Sequence, residues 1–415
     1  MREMKDSSVE WIGEIPAHWS PIRFRFVAKI TTGNQDTQNA DPDGEYPFYV
    51  RSPIVERCNN YTFDGKGILM AGDGAGAGRV FHLVDGKYAV HQRVYRFYDF
   101  KYMDPVLLKY YLENLFATVM DYGSAKTTVP SVRLPMIQDF VVCVPPKKEQ
   151  DNIVAVLNEK CAHVGSLISN VQAQIEKLKA YKQSLITEVV TKGLDPTVPM
   201  KDSGLEWIGE IPAHWEITRK LAFVTTEGIS YGIVKLFDPD DVNGVKVLRC
   251  SDVLEGWIKP DNIRTVMQEV SNEYARTILS GGEVVVNVRG SLGGCAVVPK
   301  TMAGYNIARE VAKIALNDSM CNRYVMYYLL SRCFVEYRTS RLSGSVYVGL
   351  NIELLSSCPL PNPDLAEQTA IADYLDEKCS QSDRLIAIKQ AKIEKLEQYK
   401  RSLIYECVTG KREVV

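Results

Sequence analysis

The feature of this sequence that most restricts its fold is an internal duplication. Residues 6–19 read Asp-Ser-Ser-Val-Glu-Trp-Ile-Gly-Glu-Ile-Pro-Ala-His-Trp, and residues 202–215 differ from them at only two positions. A second match pairs residues 175–186 with residues 393–404. Repetition of this kind predicts two copies of one structural unit, related by an approximate two-fold axis.

The stretches between the matching segments have diverged strongly. The matches lie 196 residues apart before the divergent stretch and 218 residues apart after it, so the second copy is 22 residues longer. A fainter match between residues 65–74 and 281–290 indicates that most of the extra length precedes Gly281. The sequence therefore predicts two variable domains built on one framework.

Each copy ends in a long helical pattern with apolar residues spaced alternately four and three apart, which is typical of a coiled-coil seam. The first seam consists of Leu157, Cys161, Val164, Ile168, Val171, Ile175, Leu178, Lys182, Leu185 and Val189. The second consists of Leu375, Cys379, Ser382, Ile386, Lys389, Ile393, Leu396, Lys400, Leu403 and Cys407. We expect the two helices to pack against each other in antiparallel directions.

Lys182 and Lys400 interrupt the two seams at equivalent positions. Such lysines either set the register of the pair or contact a partner protein. Alternatively, their stems pack while their ammonium groups reach water.

These patterns predict a mixed α/β protein with a pseudo-two-fold internal repeat, in which two antiparallel coiled-coil helices join two domains of twisted, largely antiparallel strands. In chain order, the predicted segments are an opening motif at 1–19, a first variable domain at 20–146, a spacer helix at 147–193, a linker with the second opening motif at 194–215, a second variable domain at 216–363 and a second spacer helix at 364–415.

Composition and the amino-terminal residues favour a cytoplasmic protein. No apolar run approaches the ~20 residues that a membrane span needs. The first residues, Met-Arg-Glu-Met-Lys-Asp, lack the apolar core of a secretory signal.

No segment presents a recognisable catalytic constellation. The glycine-rich run from Gly72 to Gly78 suggests three interpretations: a tight strand connection, a loop that contacts a DNA backbone, or a nucleotide-binding loop without the lysine of a Walker motif. The chain lacks the Asn/Asp-Pro-Pro-aromatic motif with which an adenine methyltransferase holds a flipped base. Its five histidines are too scattered to predict a metal cluster.

The doubled Glu-Trp-Ile-Gly-Glu-Ile-Pro-Ala-His-Trp motif, the doubled Ile-Glu-Lys-Leu helix, and the Glu149-Gln150 and Glu367-Gln368 pairs at the helix starts resemble the specificity subunits of type I restriction-modification systems. The resemblance spans the whole chain. Members of that family resemble one another in the helices and opening motifs and differ in their recognition domains.

The resemblance implies a non-catalytic subunit that binds double-stranded DNA and reads an asymmetric bipartite site with two target-recognition domains. It also implies docking of two methyltransferase subunits, with S-adenosylmethionine bound by those partners and no cofactor in this chain, and it allows restriction subunits to join. The net charge of −2 is not the basic balance of a stand-alone DNA-binding protein. The positive surface must then come from local clustering or from a partner.

Two other functions stay open at this point. One is a DNA adenine methyltransferase that carries its own recognition domains. The other is a coiled-coil scaffold that makes no DNA contact.

Side chains that contact DNA are expected on loops that flank strands. The predicted contacts are Arg79, Gln92, Arg93, Ser124, Lys126, Thr127, Arg289, Arg309, Arg341, Ser343 and Ser345. The family's recognition residues vary too much to be transferred by motif.

Overall fold

The computed structural model describes residues 2–123, 130–234, 244–342 and 349–414. The chain forms two compact units, and both are mixed α/β. Unit 1 comprises Met1–Gln172 and Ala391–Val415, and unit 2 comprises Ala173–Gln390. Each unit therefore contains one of the divergent stretches and a part of each long helix.

Unit 1 begins with a short hairpin and continues through two sheets into the first long helix. Its elements are β1 (Met4–Asp6), β2 (Glu14–Pro16), β3 (Ser20–Arg23), β4 (Lys29–Thr32), β5 (Tyr46–Tyr49), β6 (Glu56–Cys58), β7 (Phe63–Asp64), β8 (Gly67–Ala71), β9 (Phe81–Val84), β10 (Lys87–Val90), β11 (Val94–Tyr98), α1 (Pro105–Gly123), α2 (Leu134–Gln138), β12 (Val141–Val144) and α3 (Lys147–Lys192).

Unit 2 repeats this order after the first long helix. Its elements are β13 (Met200–Asp202), β14 (Glu210–Pro212), β15 (Glu216–Thr218), β16 (Ser230–Tyr231), β17 (Val245–Leu248), β18 (Arg264–Val266), α4 (Gln268–Glu273), β19 (Val284–Asn287), β20 (Cys295–Val297), β21 (Asn306–Ile307), β22 (Val311–Ile314), α5 (Asn322–Leu330), α6 (Arg332–Leu342), α7 (Ile352–Ser356), β23 (Leu360–Asn362) and α8 (Leu365–Val408).

The sheets of the two units have closely related topologies, although the second sheet has four strands in unit 1 and three in unit 2. A four-stranded antiparallel sheet has the order β4-β11-β8-β9 in unit 1 and β16-β22-β19-β20 in unit 2. In a second sheet, β5 pairs in parallel with β10, and β17 pairs in parallel with β21. The predicted repeat, the mixed α/β class and the mainly antiparallel pairing are confirmed.

The faint internal match corresponds to one equivalent strand in each unit. Strand β8 and strand β19 occupy the same place in their sheets, as the match between residues 65–74 and 281–290 predicted. Before β19, unit 2 contains α4 and a 3-10 turn at Ala275–Thr277. The extra length of the second copy therefore precedes Gly281, as expected.

Helix α3 begins directly after Pro146, helix α8 begins two residues after Pro363, and both end near glycines. Helix α3 has 46 residues and α8 has 44. Gly193 and Gly410, with φ of +75° and +71°, follow the helix ends in the left-handed conformation that favours glycine. Helix α8 ends at Val408, so residues 409–414 of the predicted segment 364–415 are not helical. The proposed division into domains stays a prediction.

Within each unit, parts of the two long helices share one hydrophobic core. In unit 1, Leu157 and Cys161 of α3 lie in the same core as Leu403 and Cys407 of α8. In unit 2, Lys182 Nζ donates to both carboxylate oxygens of Asp383 at 2.8 Å. These contacts confirm the antiparallel pairing, and each buried leucine contributes roughly 1.5–3 kcal/mol.

The predicted apolar seam residues face inward, although the heptad pattern is not followed strictly. Residues Leu157, Val171, Ile175, Leu375, Ile393 and Leu403 are buried, and Ile168, Leu178, Leu185, Ile386 and Leu396 are half-buried. Near the end of α3 the buried apolar positions are Ile186, Val189 and Val190, whereas Leu185 is only half-buried. A straight helix turns once per 3.6 residues, so its buried face drifts from a 3.5-residue repeat.

The surroundings of Lys182 distinguish between a register-setting role, a partner contact and a packed stem whose ammonium reaches water. Its side chain is 18% exposed, and its ammonium group is held by Asp383 of the opposite helix. Lys389 of α8 likewise donates to Gln174 Oε1 of α3 at 2.6 Å. These contacts favour a role for Lys182 in setting the register of the helix pair.

Two glycines at equivalent places allow two chain segments to approach closely. A Cβ atom on Gly33 would lie 2.0 Å from the carbonyl oxygen of Val90, and one on Gly232 would lie 1.9 Å from that of Ile307. We therefore expect Gly33→Ala and Gly232→Ala to destabilise their units by about 3 kcal/mol, the upper end of typical overpacking costs.

Urea unfolding followed by circular dichroism measures this effect. Gly165→Ala in α3 is the control, because a Cβ there meets nothing within 4 Å. Alanine at that position should stabilise the helix by about 0.5–1 kcal/mol. A Gly33→Ala protein with the wild-type unfolding midpoint would contradict the close approach.

No helix in the described ranges combines the length and apolar character that crossing a lipid bilayer requires.

Candidate nucleic-acid interface

Each opening motif is attached to the first turn of a long helix in its own unit. Trp19 is fully buried, and its indole Nε1–H donates to Glu149 Oε2 at 3.0 Å. Trp215 is also fully buried and donates to Glu367 Oε2 at 2.9 Å. The duplicated tryptophan and glutamate thus connect the motif to the helix in both copies.

The carboxylate of Glu149 receives further hydrogen bonds. His18 Nε2 lies 2.6 Å from Glu149 Oε1, and Arg2 contacts the other oxygen. Burial alone would raise the pKa of Glu149, but hydrogen bonds from Trp19, His18 and Arg2 lower it overall. The group is therefore a charged acceptor that fixes the helix start.

The adjacent glutamines connect the same helix starts to the variable segments. The side-chain amide of Gln150 donates to the carbonyl oxygens of Tyr102 and Pro145. Gln368 donates to the carbonyl oxygens of Ser319 and Pro363. The Glu-Gln pair at each helix start is thus the junction of motif, variable segment and helix within its unit.

In unit 1, two predicted DNA-contacting residues lie on the turn between β10 and β11. Gln92 Nε2 donates to Asp36 Oδ2 at 2.7 Å, and Arg93 Nη1 donates to Asp73 Oδ2 at 2.6 Å. Arg51 Nη1 donates to the other oxygen of Asp73 at 3.0 Å. The turn therefore carries an exposed polar cluster at one edge of the sheets.

Asp73 is the centre of this cluster. Its partial burial raises the pKa of the carboxyl group, but hydrogen bonds from Arg93 and Arg51 lower it overall. The Arg93 side chain is 62% exposed while Asp73 is 14% exposed. A fixed anion thus orients an arginine whose guanidinium still faces solvent, an arrangement suited to bidentate hydrogen bonding.

The glycine-rich run from Gly72 to Gly78 is a tight strand connection. The amide of Gly72 donates to Arg93 O, that of Gly74 to Pro130 O, and that of Gly78 to Ala71 O. Because these amides are bonded within the chain, they are not available to cradle a nucleotide phosphate. The geometry favours the first of the three interpretations of this run.

Unit 2 presents a different set of side chains at the equivalent edge. The parallel bridge between Ile233 and Ala308 matches the bridge between Gln35 and His91 in unit 1. Arg309 therefore occupies the position of Gln92, and Glu310 that of Arg93. The amide of Val288 donates to Glu310 O at 2.8 Å, which brings the loop with Arg289 beside this turn.

The arginine neighbours of the turn differ as well. Arg249 makes two hydrogen bonds of 3.0 Å to Asp252, whose side chain is 4% exposed. The guanidinium of Arg289 lies 5.8 Å from the centre of the Tyr231 ring. The same scaffold thus carries unlike hydrogen-bonding groups in the two units.

The other predicted contacts are distributed less uniformly. Arg79 is exposed on the Gly72–Val80 loop of unit 1, which begins at the amide that donates to Arg93 O. Arg341 was expected on a loop, but it lies in the last turn of α6, beside Tyr337. Arg341 lines a cavity that neither Arg289 nor Arg309 lines. Ser124, Lys126, Thr127, Ser343 and Ser345 lie outside the described residues.

Arg51 and Arg249 were missed in the sequence. Arg51 lies two residues after the end of β5 and Arg249 directly after the equivalent strand β17, and both bind a carboxylate. A signal was present, since an arginine stands within two residues of the end of this strand in each copy.

Among the described residues, no group of three or more histidine, cysteine, aspartate or glutamate side chains is arranged to hold a metal ion.

Comparison with known proteins identifies the same family that the duplicated motifs resemble. A family model described as "Type I restriction modification DNA specificity domain" matches residues 16–177 and 216–398. The specificity subunit of the type I restriction enzyme MjaVIII from Methanocaldococcus jannaschii is 25% identical, with 96% of this chain and 94% of that protein covered. The EcoDI specificity subunit from Escherichia coli is 23% identical over 90% of this chain and 84% of its own length.

A solved structure shares the fold. It belongs to a study of complex assembly and conformational transition in the type I R-M system, and it matches with a TM-score of 0.66 at 17% identity. The match covers 96% of this chain and 99% of the other. The chain therefore belongs to the family of type I restriction-modification DNA specificity domains, as a recognition subunit rather than an enzyme.

Proposed function

We propose that this chain binds double-stranded DNA and reads an asymmetric, two-part site, with one half-site contacted by each unit. The observation that carries the proposal is the pair of equivalent turns, which share a backbone framework and differ in their side chains. Gln92 and Arg93 in unit 1 correspond to Arg309 and Glu310 in unit 2. Glutamine, arginine and glutamate prefer different base edges in the major groove, so the half-sites should differ.

The long helices are suited to hold two recognition elements at a fixed separation. A helix of 46 residues is about 69 Å long at a rise of about 1.5 Å per residue. One turn of DNA extends about 34–36 Å. The proposal thus assigns to α3 and α8 the spacing of the half-sites as well as the docking of partner subunits.

The proposed partners are two methyltransferase subunits, which bind S-adenosylmethionine and methylate adenine, and restriction subunits that join the same complex in the cytoplasm. The net charge of −2 supports the need for such partners. A protein that neutralises many phosphates by itself usually carries an excess of lysine and arginine. We propose that much of the DNA-facing positive charge belongs to the partners.

The direct test is to map methylated adenines in DNA from cells that express the chain with its methyltransferase partner. Gln92→Ala should then weaken discrimination at one half-site only, and Arg309→Ala at the other only. Each lost bidentate contact should reduce discrimination by about 1–3 kcal/mol, which is roughly 5- to 150-fold. The two variants are each other's control.

Arg79, Arg93, Arg289 and Arg341 remain predicted contacts within this proposal. If both variants affected the same half-site, or neither affected any, the assignment of one half-site to each unit would be wrong. A scaffold without DNA contact would give no shift of DNA in a gel when the partner subunits are present.

A further inference from the structure

A cavity of about 500 Å³ in unit 2 lies apart from the candidate DNA-contacting turn. It is bordered by the second opening motif, by strand β15 and by the ends of α6 and α7. Its polar and aromatic lining consists of Ser203, Trp207, Arg219, Tyr337, Arg341 and Ser357. Within the described residues, this lining contains two arginines and no carboxylate.

Unit 1 neutralises the arginine at the equivalent place. Strand register aligns Arg23, which pairs with Val141, with Arg219 in unit 2. Arg23 lies 3.6 Å from Asp139, and Arg25 also contacts that carboxylate. The residue at the position of Asp139 in unit 2 is Ser357, which follows α7 as Asp139 follows α2. The carboxylate has been replaced while the arginine has been kept.

Two further features of unit 2 add to this change. The guanidinium of Arg341 lies 5.8 Å from the centre of the Tyr337 ring, and that ring lies 5.4 Å from the ring of Trp207.

We propose that this cavity binds a phosphoryl group attached to a planar ring, as in a nucleotide. The two guanidinium groups would hold the phosphoryl oxygens by charge-assisted hydrogen bonds. Trp207, which is half-buried and packs on the buried Tyr337 ring, provides aromatic surface for the ring. The volume lies within the range of about 300–1,000 Å³ that is typical of small-molecule sites. The inference does not depend on the proposed contacts of Arg289 and Arg309, which are not part of the lining, whereas Arg341 is shared with the predicted DNA contacts.

Isothermal titration of the full-length chain with deoxyadenosine monophosphate tests the proposal. We expect saturable binding of the nucleotide and at least tenfold weaker binding of deoxyadenosine, which lacks the phosphate. Ser357→Asp restores the charge found in unit 1 without removing an arginine and should weaken nucleotide binding at least tenfold. Arg219→Gln should have a similar effect.

Arg23→Gln in unit 1 is the matched control and should bind the nucleotide like the wild type. Circular dichroism of each variant verifies that the chain is folded. No measurable nucleotide binding, equal binding by Ser357→Asp and the wild type, or an equal loss in Arg23→Gln would overturn the proposal.

Competition with duplex DNA identifies the source of the phosphoryl group. Displacement of the nucleotide by DNA would support a nucleotide unit of the bound strand as the natural ligand. Simultaneous binding of both would support a free nucleotide. Because the titration requires no methylation, failure of the proposed DNA reading would not affect its result.

Discussion

Deleting one heptad from each long helix is expected to shorten the preferred gap between the two half-sites by about three base pairs. Seven residues account for about 10 Å of helix, and successive base pairs are about 3.4 Å apart. Suitable deletions are residues 168–174 of α3 and 390–396 of α8, because removal of a whole heptad keeps the seam in register. Methylation of the original site should be lost.

The measurement is again a map of methylated adenines, which yields the gap directly. Insertion of one heptad into both helices is the control and should lengthen the gap by the same amount. Deletion from α3 alone should instead separate pairs such as Lys182 and Asp383 and destabilise the chain. An unchanged gap after the double deletion would rule out the helices as the spacer.

Replacing either buried tryptophan of the opening motifs is expected to cause the largest loss of stability. Trp19 and Trp215 are fully buried, and each lies in the main core of its unit. Truncation of a buried tryptophan to alanine costs about 3–5 kcal/mol. Trp19→Ala should therefore destabilise unit 1, and Trp215→Ala should destabilise unit 2.

Hydrogen exchange resolved by peptide can assign the loss of stability to one unit. Trp257→Ala is the control, since that side chain is 54% exposed and its removal should change stability by less than about 0.5 kcal/mol. Trp19→Phe isolates the hydrogen bond to Glu149, whose loss should cost about 1–3 kcal/mol. Exchange of unit 1 that is unaffected by Trp19→Ala would contradict this account of the junction.

The sequence predicted the repeated framework because neither of its two signals requires knowledge of the fold. The heptad pattern of α3 requires only neighbouring residues, and the duplicated Trp-Ile-Gly segment requires only comparison of the chain with itself. The match of residues 65–74 to 281–290 correctly predicted that β8 and β19 are equivalent strands. These segments have diverged little between the two copies because burial restricts which residues can occupy them.

The details of the candidate interface could not be predicted in the same way. The parallel pairing of β5 with β10 joins segments about 40 residues apart, and no local pattern indicates it. Arg341 lies on α6 because tertiary packing of Phe334 and Tyr337 extends a helix through a stretch that was interpreted as a loop. The clustering of Arg51 with Arg93 depends on Asp73, which no spacing rule connects to either.

The division of the chain has a consequence for its synthesis. Unit 2 is one continuous stretch, Ala173–Gln390, whereas unit 1 needs Ala391–Val415 to supply Leu403 and Cys407 to the core that contains Trp19. Domains fold as units while the ribosome extends the chain. Unit 2 therefore has all of its residues before unit 1 does, although unit 1 begins first. A polypeptide whose translation stops early would carry a finished second half and an unfinished first half, so only complete translation yields two competent recognition elements.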